Sequence, residues 1–340
     1  MQILDRLFGR KKPEPTPADD ELDRMVARVH GMYPRLRHAH DHDERLRSAM
    51  ARSLAHLRKL VADFPSVRAV TVQDWGTDPY VRAFFAAAND IPDAIGRSRD
   101  LRAFFTQTPD VFEAHAVLGM DLVERQVLGA SHEGGVTRMD VPQTTVSFTD
   151  HQFRICGGSV IALRDEIVAR LVDQLGIEAL ATISAEGERR DELQRERALL
   201  TTRLRILERQ GAGMRSMAGG GSRADPGELA RLQTEMDENS QELRSLGSLS
   251  EIVDRHLEIF CQVFSDPENR IHVQARQIRL NRMNVMVTDG NPEDTHVLDL
   301  QIARVPGDPP RERAFAIVRV ARTDMPAASH LLDQAAGLLG

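Results

Sequence analysis

The residues best suited to chemistry are the histidines of RLRHAHDHDERLR, residues 35–47. On a helix, His38 and His42 would share a face, because residues four positions apart lie one turn above each other. Imidazole pairs at this spacing are common ligands of divalent metals such as Zn²⁺. A structural zinc site needs four ligands, however, and the neighbouring carboxylates also suit nearby arginines. The segment therefore predicts either a metal site that includes His38 and His42 or a solvated segment of mixed charge.

Two glycine-containing segments carry polar residues of catalytic types. ASHEGG, residues 130–135, places Ser, His and Glu side by side, whereas a catalytic triad needs side chains that converge from different parts of the fold. GGS, residues 157–159, could hold an anion with its backbone N–H groups, but no Walker-type lysine follows, and Ser159 is better suited to capping a helix. The sequence also lacks metalloprotease, serine-hydrolase and P-loop motifs. It therefore favours a non-enzymatic protein without a cofactor.

The first twelve residues, MQILDRLFGRKK, combine an apolar face with a basic end. At 100° per residue on a helical wheel, the apolar side chains fall on one arc. The residues that would contact a membrane are Ile3, Leu4, Leu7, Phe8, Arg10, Lys11 and Lys12. Each basic side chain near an anionic leaflet contributes about 1 kcal/mol, so one short helix would bind weakly. The stretch resembles the membrane-targeting starts of several bacterial peripheral proteins. The alternative is a short helix that docks on the protein itself or on a partner.

The composition argues against several classes of protein. The net charge of −7 and the aromatic content of 4% argue against nucleic-acid binding. Cys156 and Cys261 lack metal-ligand spacing and fit a reducing cytoplasm. No apolar run approaches the roughly 20 residues of a membrane-spanning helix, and no signal-peptide pattern is present. We therefore expect a cytoplasmic protein, either free or peripheral on the inner face of the cytoplasmic membrane.

The elements that must position these residues begin after a proline-rich stretch. Residues 13–23, PEPTPADDELD, predict an extended acidic linker, and residues 24–132 predict a helical region. Within that region, VRAFFAAANDIPDAI at 81–95 and LRAFFTQTPDVFEAH at 101–115 form an internal repeat at an offset of 20 residues. The two phenylalanine pairs predict a local core, with an aromatic groove for a partner helix as the alternative.

The hydrophobic period changes to two from about residue 135. This alternation predicts strands at about 136–141 and 144–156, with a turn at residues 149–151. A helix is then expected to begin after Ser159. We assign residues 133–186 to the first part of an α/β body.

The clearest pattern is an apolar seam with alternating spacings of three and four residues in residues 229–264. Nine of its eleven positions are apolar, which is typical of a coiled coil. The seam residues expected to carry assembly are Leu229, Leu232, Met236, Leu243, Leu246, Val253 and Leu257. A second seam upstream consists of Leu193, Leu200, Leu204 and Leu207. Residues 187–266 therefore predict an antiparallel helical hairpin with a glycine-rich tip at 211–227.

Residues 267–340 return to strand patterns and predict a β-meander followed by a C-terminal helix. Because strand patterns flank the hairpin on both sides, we predict one sheet that draws on both flanks; two separate small sheets are the alternative. The predicted class is α+β. It comprises a helical N-terminal region and an antiparallel or mixed β-sheet body, with a long antiparallel coiled-coil hairpin inserted into the body.

Together these features favour a bacterial, membrane-proximal adaptor or scaffold. Its partners would be a second copy or another protein at the coiled coil and an anionic membrane surface at residues 1–12, with no nucleic acid. The alternatives are a cytosolic ligand- or metal-responsive regulatory protein and an enzyme without a recognisable motif.

Overall fold

The computed structural model describes residues 17–133, 136–213, 226–246, 251–287, 295–305 and 310–326. It combines an antiparallel sheet with long helices, so the predicted α+β class is confirmed. The predicted amphipathic segment 1–12 and the predicted C-terminal helix lie outside the described residues. Among the helices that are described, none has the length and apolar character needed to cross a bilayer.

The chain divides into two compact units, each assembled from two segments. The first, which we call the helical unit, comprises Met1–Ala55 and Val172–Pro267. The second, which we call the sheet unit, comprises His56–Leu171 and Glu268–Gly340. Each unit therefore depends on residues that are far apart in sequence.

The first element among the described residues is helix α1, Pro17–Met32. It is followed by a 3₁₀ turn, Pro34–His38, and by helix α2, His42–Ala62. Helix α1 starts inside the segment predicted as an extended linker, so that prediction is wrong for residues 17–23. The first turn of α1 contains Asp19 and Asp20, whose negative charges interact favourably with the N-terminal end of the helix dipole. The same acidic residues that suggested a solvated linker therefore suit a helix start.

Helix α7 runs from Val160 to Gly213, and its residues belong to both units. It begins as predicted at Ser159, whose hydroxyl accepts a hydrogen bond from the backbone N–H of Ala162 at 3.2 Å. The predicted boundary between residues 186 and 187 falls inside this helix, whereas the two compact units divide at Leu171 and Val172. No proline interrupts this stretch, and an interior glycine costs a helix only about 1 kcal/mol.

The predicted second arm of the hairpin, residues 229–264, contains two described helices rather than one. Helix α8 spans Pro226–Ser245 and helix α9 spans Ile252–Ser265. Residues 247–250 between them lie outside the described residues. Most of the predicted glycine-rich tip, residues 214–225, lies outside them as well.

The sheet unit contains six described strands. They are β1 Arg68–Ala69, β2 Glu113–Glu133, β3 Val136–Gly157, β4 Val273–Asn281, β5 Thr295–Val305 and β6 Arg311–Ala321. Their order is β3-β2-β6-β5-β4, all antiparallel, and β1 pairs in parallel with β6. Beyond β4, Val285 bridges to Thr145 of β3 and Met286 bridges to Leu280 of β4, so this short segment links the two edges of the sheet.

The prediction of a helical region through residue 132 is wrong for residues 113–132, which form β2. Alternate residues of this strand are buried: Ala114, Ala116, Leu118 and Met120. Strand β3 is likewise one element rather than two. Asp150, with φ 51°, lies where the β2–β3 ladder shifts register rather than in a turn.

Strand β2 precedes the inserted helices in sequence and β6 follows them, so the pairing of these two strands brings both flanking segments into one sheet. Nine residue pairs connect these strands, from Glu113 with Ala321 to Asp121 with Arg313. The predicted single sheet is therefore confirmed, and the alternative of two separate sheets is not observed in the described residues.

Four short helices pack on this sheet within the same unit: α3 Asp74–Thr77, α4 Pro79–Phe84, α5 Asp90–Arg97 and α6 Arg99–Gln107. Phe84, Phe85 and Phe105 are at most 5% exposed, which confirms that the repeat supplies a local core. The indole N–H of Trp75 donates a hydrogen bond to the carbonyl of Phe85 at 2.8 Å. The phenylalanine pairs therefore hold the core rather than forming an open groove.

Candidate functional site

Helices α7 and α8 pack against each other in antiparallel orientation, as the two seams predict. The guanidinium of Arg189 lies 2.6 Å from a carboxylate oxygen of Glu242, and that of Arg203 lies 2.9 Å from a carboxylate oxygen of Glu228. As residue numbers rise by 14 on α7, they fall by 14 on α8, which is the register of an antiparallel pair. The helical hairpin is thus present in a single chain.

Of the seven residues expected to carry assembly, five lie on α8 or directly after it, and Val253 and Leu257 lie on α9. Leu232 is 2% exposed and Leu257 is fully buried. The other five are half-buried: Leu229, Met236, Leu243, Leu246 and Val253. Their apolar surface is used within one chain, so a second copy could reach it only if the helices separated. Self-association through these residues stays a prediction. The exposed faces of the helices are better candidates for a contact between two copies.

An exposed face of α7 carries large apolar side chains. Ile177, Leu199 and Ile206 are 54%, 71% and 51% exposed. At 100° per residue, the three lie within about 40° of one another around the helix axis. The exposed residues Glu188 and Arg195 fall on the same face between them. We call this face the outer stripe of α7, composed of Ile177, Glu188, Arg195, Leu199 and Ile206.

A second candidate site lies between α1 and α2 and includes one of the two predicted histidines. The Nε2 atom of His30 lies 3.1 Å from Oδ1 of Asp43, and Nε2 of His42 lies 3.4 Å from the same oxygen. The two imidazole rings meet edge to face, with their centroids 5.3 Å apart. One potential ligand atom from each of the three residues lies within 4.8 Å of the others. We call these residues the His30–His42–Asp43 cluster.

Of the two histidines that the sequence pointed to as metal ligands, the structure places His42 in this cluster, whereas the sequence did not point to His30 or Asp43. His38 is exposed in the 3₁₀ turn and is not a member of the cluster. The spacing of four residues applies to two side chains on one helix, whereas Ala39 to Asp41 interrupt the helix between His38 and His42. No residue spacing points to His30, because it lies on α1 and reaches His42 only through the fold.

The cluster opens into a cavity of about 510 Å³ within the helical unit. Its other lining residues include Asp23, Arg37 and Arg47. Arg47 forms an ion pair with Asp23, so these two opposite charges offset each other. The side chain of His30 is only 6% exposed, whereas that of Asp43 is 69% exposed. A ligand could therefore approach the buried histidine from the side of the carboxylate.

A second cavity, of about 440 Å³, lies in the sheet unit beside the register shift of β3. It is lined on one side by Arg97 to Arg99 and on the other by Asp150 to Arg154. Partial burial acts to raise the pKa of Asp150, but hydrogen bonds from Gln152 and Arg313 outweigh it and lower that pKa. The arginines on its rim are exposed, and Arg154 forms an ion pair with Asp100. This cavity therefore has the character of a solvated groove.

The remaining sequence candidates take structural roles or lie outside the described residues. Residues 131–133 of ASHEGG are part of β2 and pair with β3. A side chain at Gly157 would approach the backbone N of Leu163 to 2.8 Å, so glycine permits the close turn from β3 into α7. The membrane-contact residues within 1–12 lie outside the described residues.

Comparisons with protein-family models, with curated proteins and with solved structures found no match for this chain.

Proposed function

We propose that this chain is a non-enzymatic interaction protein, an adaptor or scaffold that pairs with a second copy of itself along the outer stripe of α7. The observation that supports this proposal is the arrangement of apolar and charged residues on that exposed stripe. The inner seams are occupied within the hairpin, whereas Leu199 is 71% exposed.

The stripe is complementary to itself when two copies are antiparallel. Ile177 lies eleven residues before Glu188, and Arg195 lies eleven residues before Ile206. If Glu188 faces Arg195 of the second copy, Ile177 faces Ile206 of that copy, and two-fold symmetry repeats both contacts. These pairs combine opposite charges or two apolar side chains, and in the same register Leu199 faces Ser184 of the second copy. The contact is narrow, so we expect a weak dimer with a dissociation constant on the order of micromolar.

Dimerisation would also strengthen attachment to a membrane. The amphipathic pattern of residues 1–12, with Phe8 beside Arg10 and Lys11, fits an anionic bilayer surface. One such segment binds weakly, but two copies on one dimer bind with higher avidity, because the second contact becomes intramolecular. We therefore propose a dimeric adaptor that associates peripherally with anionic membranes.

Charge reversal on the outer stripe tests the dimer. In E188R and in R195E, like charges would face each other twice across the two-fold axis, and we expect both variants to be monomeric in sedimentation equilibrium. The double variant E188R/R195E restores opposite charges and should dimerise like the wild type. E235R, an exposed change on α8, is the matched control and should leave the dimer intact.

The same variants test the link to the membrane. The wild type and the double variant should float with anionic vesicles, and E188R should float clearly less. A wild type that is monomeric at high concentration would overturn the dimer, and a dimer insensitive to both reversals would exclude the outer stripe. Equal flotation of the dimer and the monomer would refute the avidity argument.

A further inference from the structure

We infer that the His30–His42–Asp43 cluster is a binding site for one divalent transition-metal ion, of which Zn²⁺ is the natural probe. Two imidazole nitrogens and a carboxylate oxygen converge from α1 and from the first turn of α2. This donor set is typical of zinc sites that hold the ion with three protein ligands and leave a fourth position open. The proposal concerns the helical unit and does not depend on the dimer.

The spacing of the donor atoms fits a tetrahedral ion. Zinc–nitrogen and zinc–oxygen distances of about 2.0–2.1 Å place neighbouring ligand atoms of a tetrahedron about 3.3–3.4 Å apart. The two imidazole nitrogens lie 3.1 Å and 3.4 Å from the same carboxylate oxygen. All three ligand atoms lie within 4.8 Å of one another, so an ion between them would also bring the two imidazole rings to about this tetrahedral spacing.

The tautomer of His42 supports a cation at this point. Its Nδ1 lies 3.1 Å from the carbonyl oxygen of Ala39, which can only accept a hydrogen bond, so Nδ1 carries a proton. In the neutral ring, Nε2 then presents a lone pair to the carboxylate oxygen of Asp43. Two acceptors at 3.4 Å repel each other unless a proton or a metal ion lies between them. The bond to Ala39 is also the kind of contact that orients a histidine toward a metal.

The surroundings of His30 indicate which of its two nitrogens faces the cluster. Its side chain is 6% exposed, and among the described residues its Nδ1 atom has no hydrogen-bond partner. The ring is therefore oriented by its Nε2 contact to Asp43 rather than by a hydrogen bond on the opposite nitrogen. Nε2 would be the ligand atom, and the proton would lie on Nδ1. The adjoining cavity of about 510 Å³ leaves space for water or a small anion as the fourth ligand.

The test measures Zn²⁺ binding to the full, tag-free chain by competition with a chromophoric chelator. We expect one Zn²⁺ per chain, and we expect H42A and D43N to weaken the affinity at least tenfold, since each removes one of three ligands. D43N keeps the size of the side chain and changes an exposed group, so its fold should persist. H38A is the matched control and should bind like the wild type.

Cobalt provides a second readout that does not depend on stability. Bound Co²⁺ in a four- or five-coordinate site should give visible absorption in the wild type and in H38A, and much weaker absorption in H42A and D43N. The site is refuted if the wild type takes up no stoichiometric Zn²⁺. It is also refuted if H42A and D43N bind as the wild type does, or if H38A weakens binding equally.

Discussion

At the scale of single residues, His151 shows how burial sets a protonation state in the sheet unit. Its Nε2 donates a hydrogen bond to the carbonyl of Phe84 at 2.7 Å, and its ring stacks on Phe85 with centroids 4.4 Å apart. Burial lowers the pKa of His151, although the bond to Phe84 acts in the opposite direction. The neutral ring is therefore the form that fits the folded state.

This lowered pKa predicts that acid destabilises the protein partly through His151. The unfolded chain takes up the proton first as the pH falls below the ordinary value of 6.5, so the contribution is fully present above that pH. It is lost as the pH falls further, toward and through the lower pKa of the folded state. In urea unfolding at pH 7.5 and 5.5, H151Q should lose less stability between the two pH values than the wild type.

The pH dependence of stability should not vanish in H151Q, because burial also lowers the pKa of His115 and of His256. H38Q, which changes an exposed histidine, is the control and should keep the full pH dependence. An unchanged dependence in H151Q would show that His151 titrates alike in the folded and unfolded states.

At the scale of the elements, Asn239 is the polar residue in the seam of α8. It is 4% exposed, and its amide nitrogen donates hydrogen bonds to the carbonyl of Leu193 at 3.0 Å and to the carboxylate of Glu196 at 2.9 Å. Its Oδ1 atom is buried without a hydrogen-bond partner among the described residues. A polar residue at such a position favours one register of the two helices at some cost in stability.

Replacing Asn239 should therefore change the unfolding free energy of the protein in a direction that depends on the new side chain. N239L removes the unpaired oxygen and extends the apolar seam, so we expect a gain of about 1 kcal/mol in unfolding free energy. N239D keeps the shape but places a carboxylate beside that of Glu196, so we expect a loss of about 1–2 kcal/mol. Urea denaturation measures both changes. A loss in N239L larger than that in N239D would mean that the two hydrogen bonds outweigh the buried oxygen.

The sequence predicted the elements whose signals are local. The start of α7 could be predicted from Ser159, a residue type that often caps helices. The strands after residue 267 could be predicted from alternating apolar residues, and the seam of α8 from its heptad spacing. Strand β2 was missed although Ala114 to Met120 alternate, because small alanines give a weak hydrophobic signal. The predicted boundary at residues 186 and 187 falls inside α7, because no residue spacing marks where one continuous helix passes from one compact unit to the other.

For the candidate sites too, residues that are close together in sequence could be predicted, and residues that only the fold brings together could not. His42 could be selected from its neighbours, but His30 joins it only because α1 folds back onto α2. The outer stripe of α7 could be recognised only once the packing of α8 showed which face of α7 stays exposed. Which face an amphipathic helix buries depends on its tertiary partner, and no residue spacing within one helix contains that information.

At the scale of the whole molecule, the chain passes between its two units through helices. Helix α2 has residues in both units, and so does helix α7. If one unit unfolds, it removes part of a helix that the other unit needs. We therefore expect the protein to unfold in one cooperative step, although the chain forms two compact units.

The two cysteines allow this cooperativity to be measured. Cys261 belongs to the helical unit and Cys156 to the sheet unit. Burial raises the pKa of both thiols, that of Cys156 from 9.0 to about 12. Because only the thiolate reacts, the raised pKa slows the labelling of Cys156 in the folded protein relative to the unfolded chain. Labelling therefore reports the opening of each unit.

In C156A and C261A, one cysteine remains, and each variant reports on one unit. Thiol labelling across a series of urea concentrations should accelerate at the same midpoint for both cysteines, once each curve is corrected for any change in stability caused by the alanine. Circular dichroism of the same samples supplies that correction. A midpoint for Cys261 clearly below that for Cys156 would mean that the helical unit opens by itself. The parts of α2 and α7 in the sheet unit would then hold their structure without the rest of each helix.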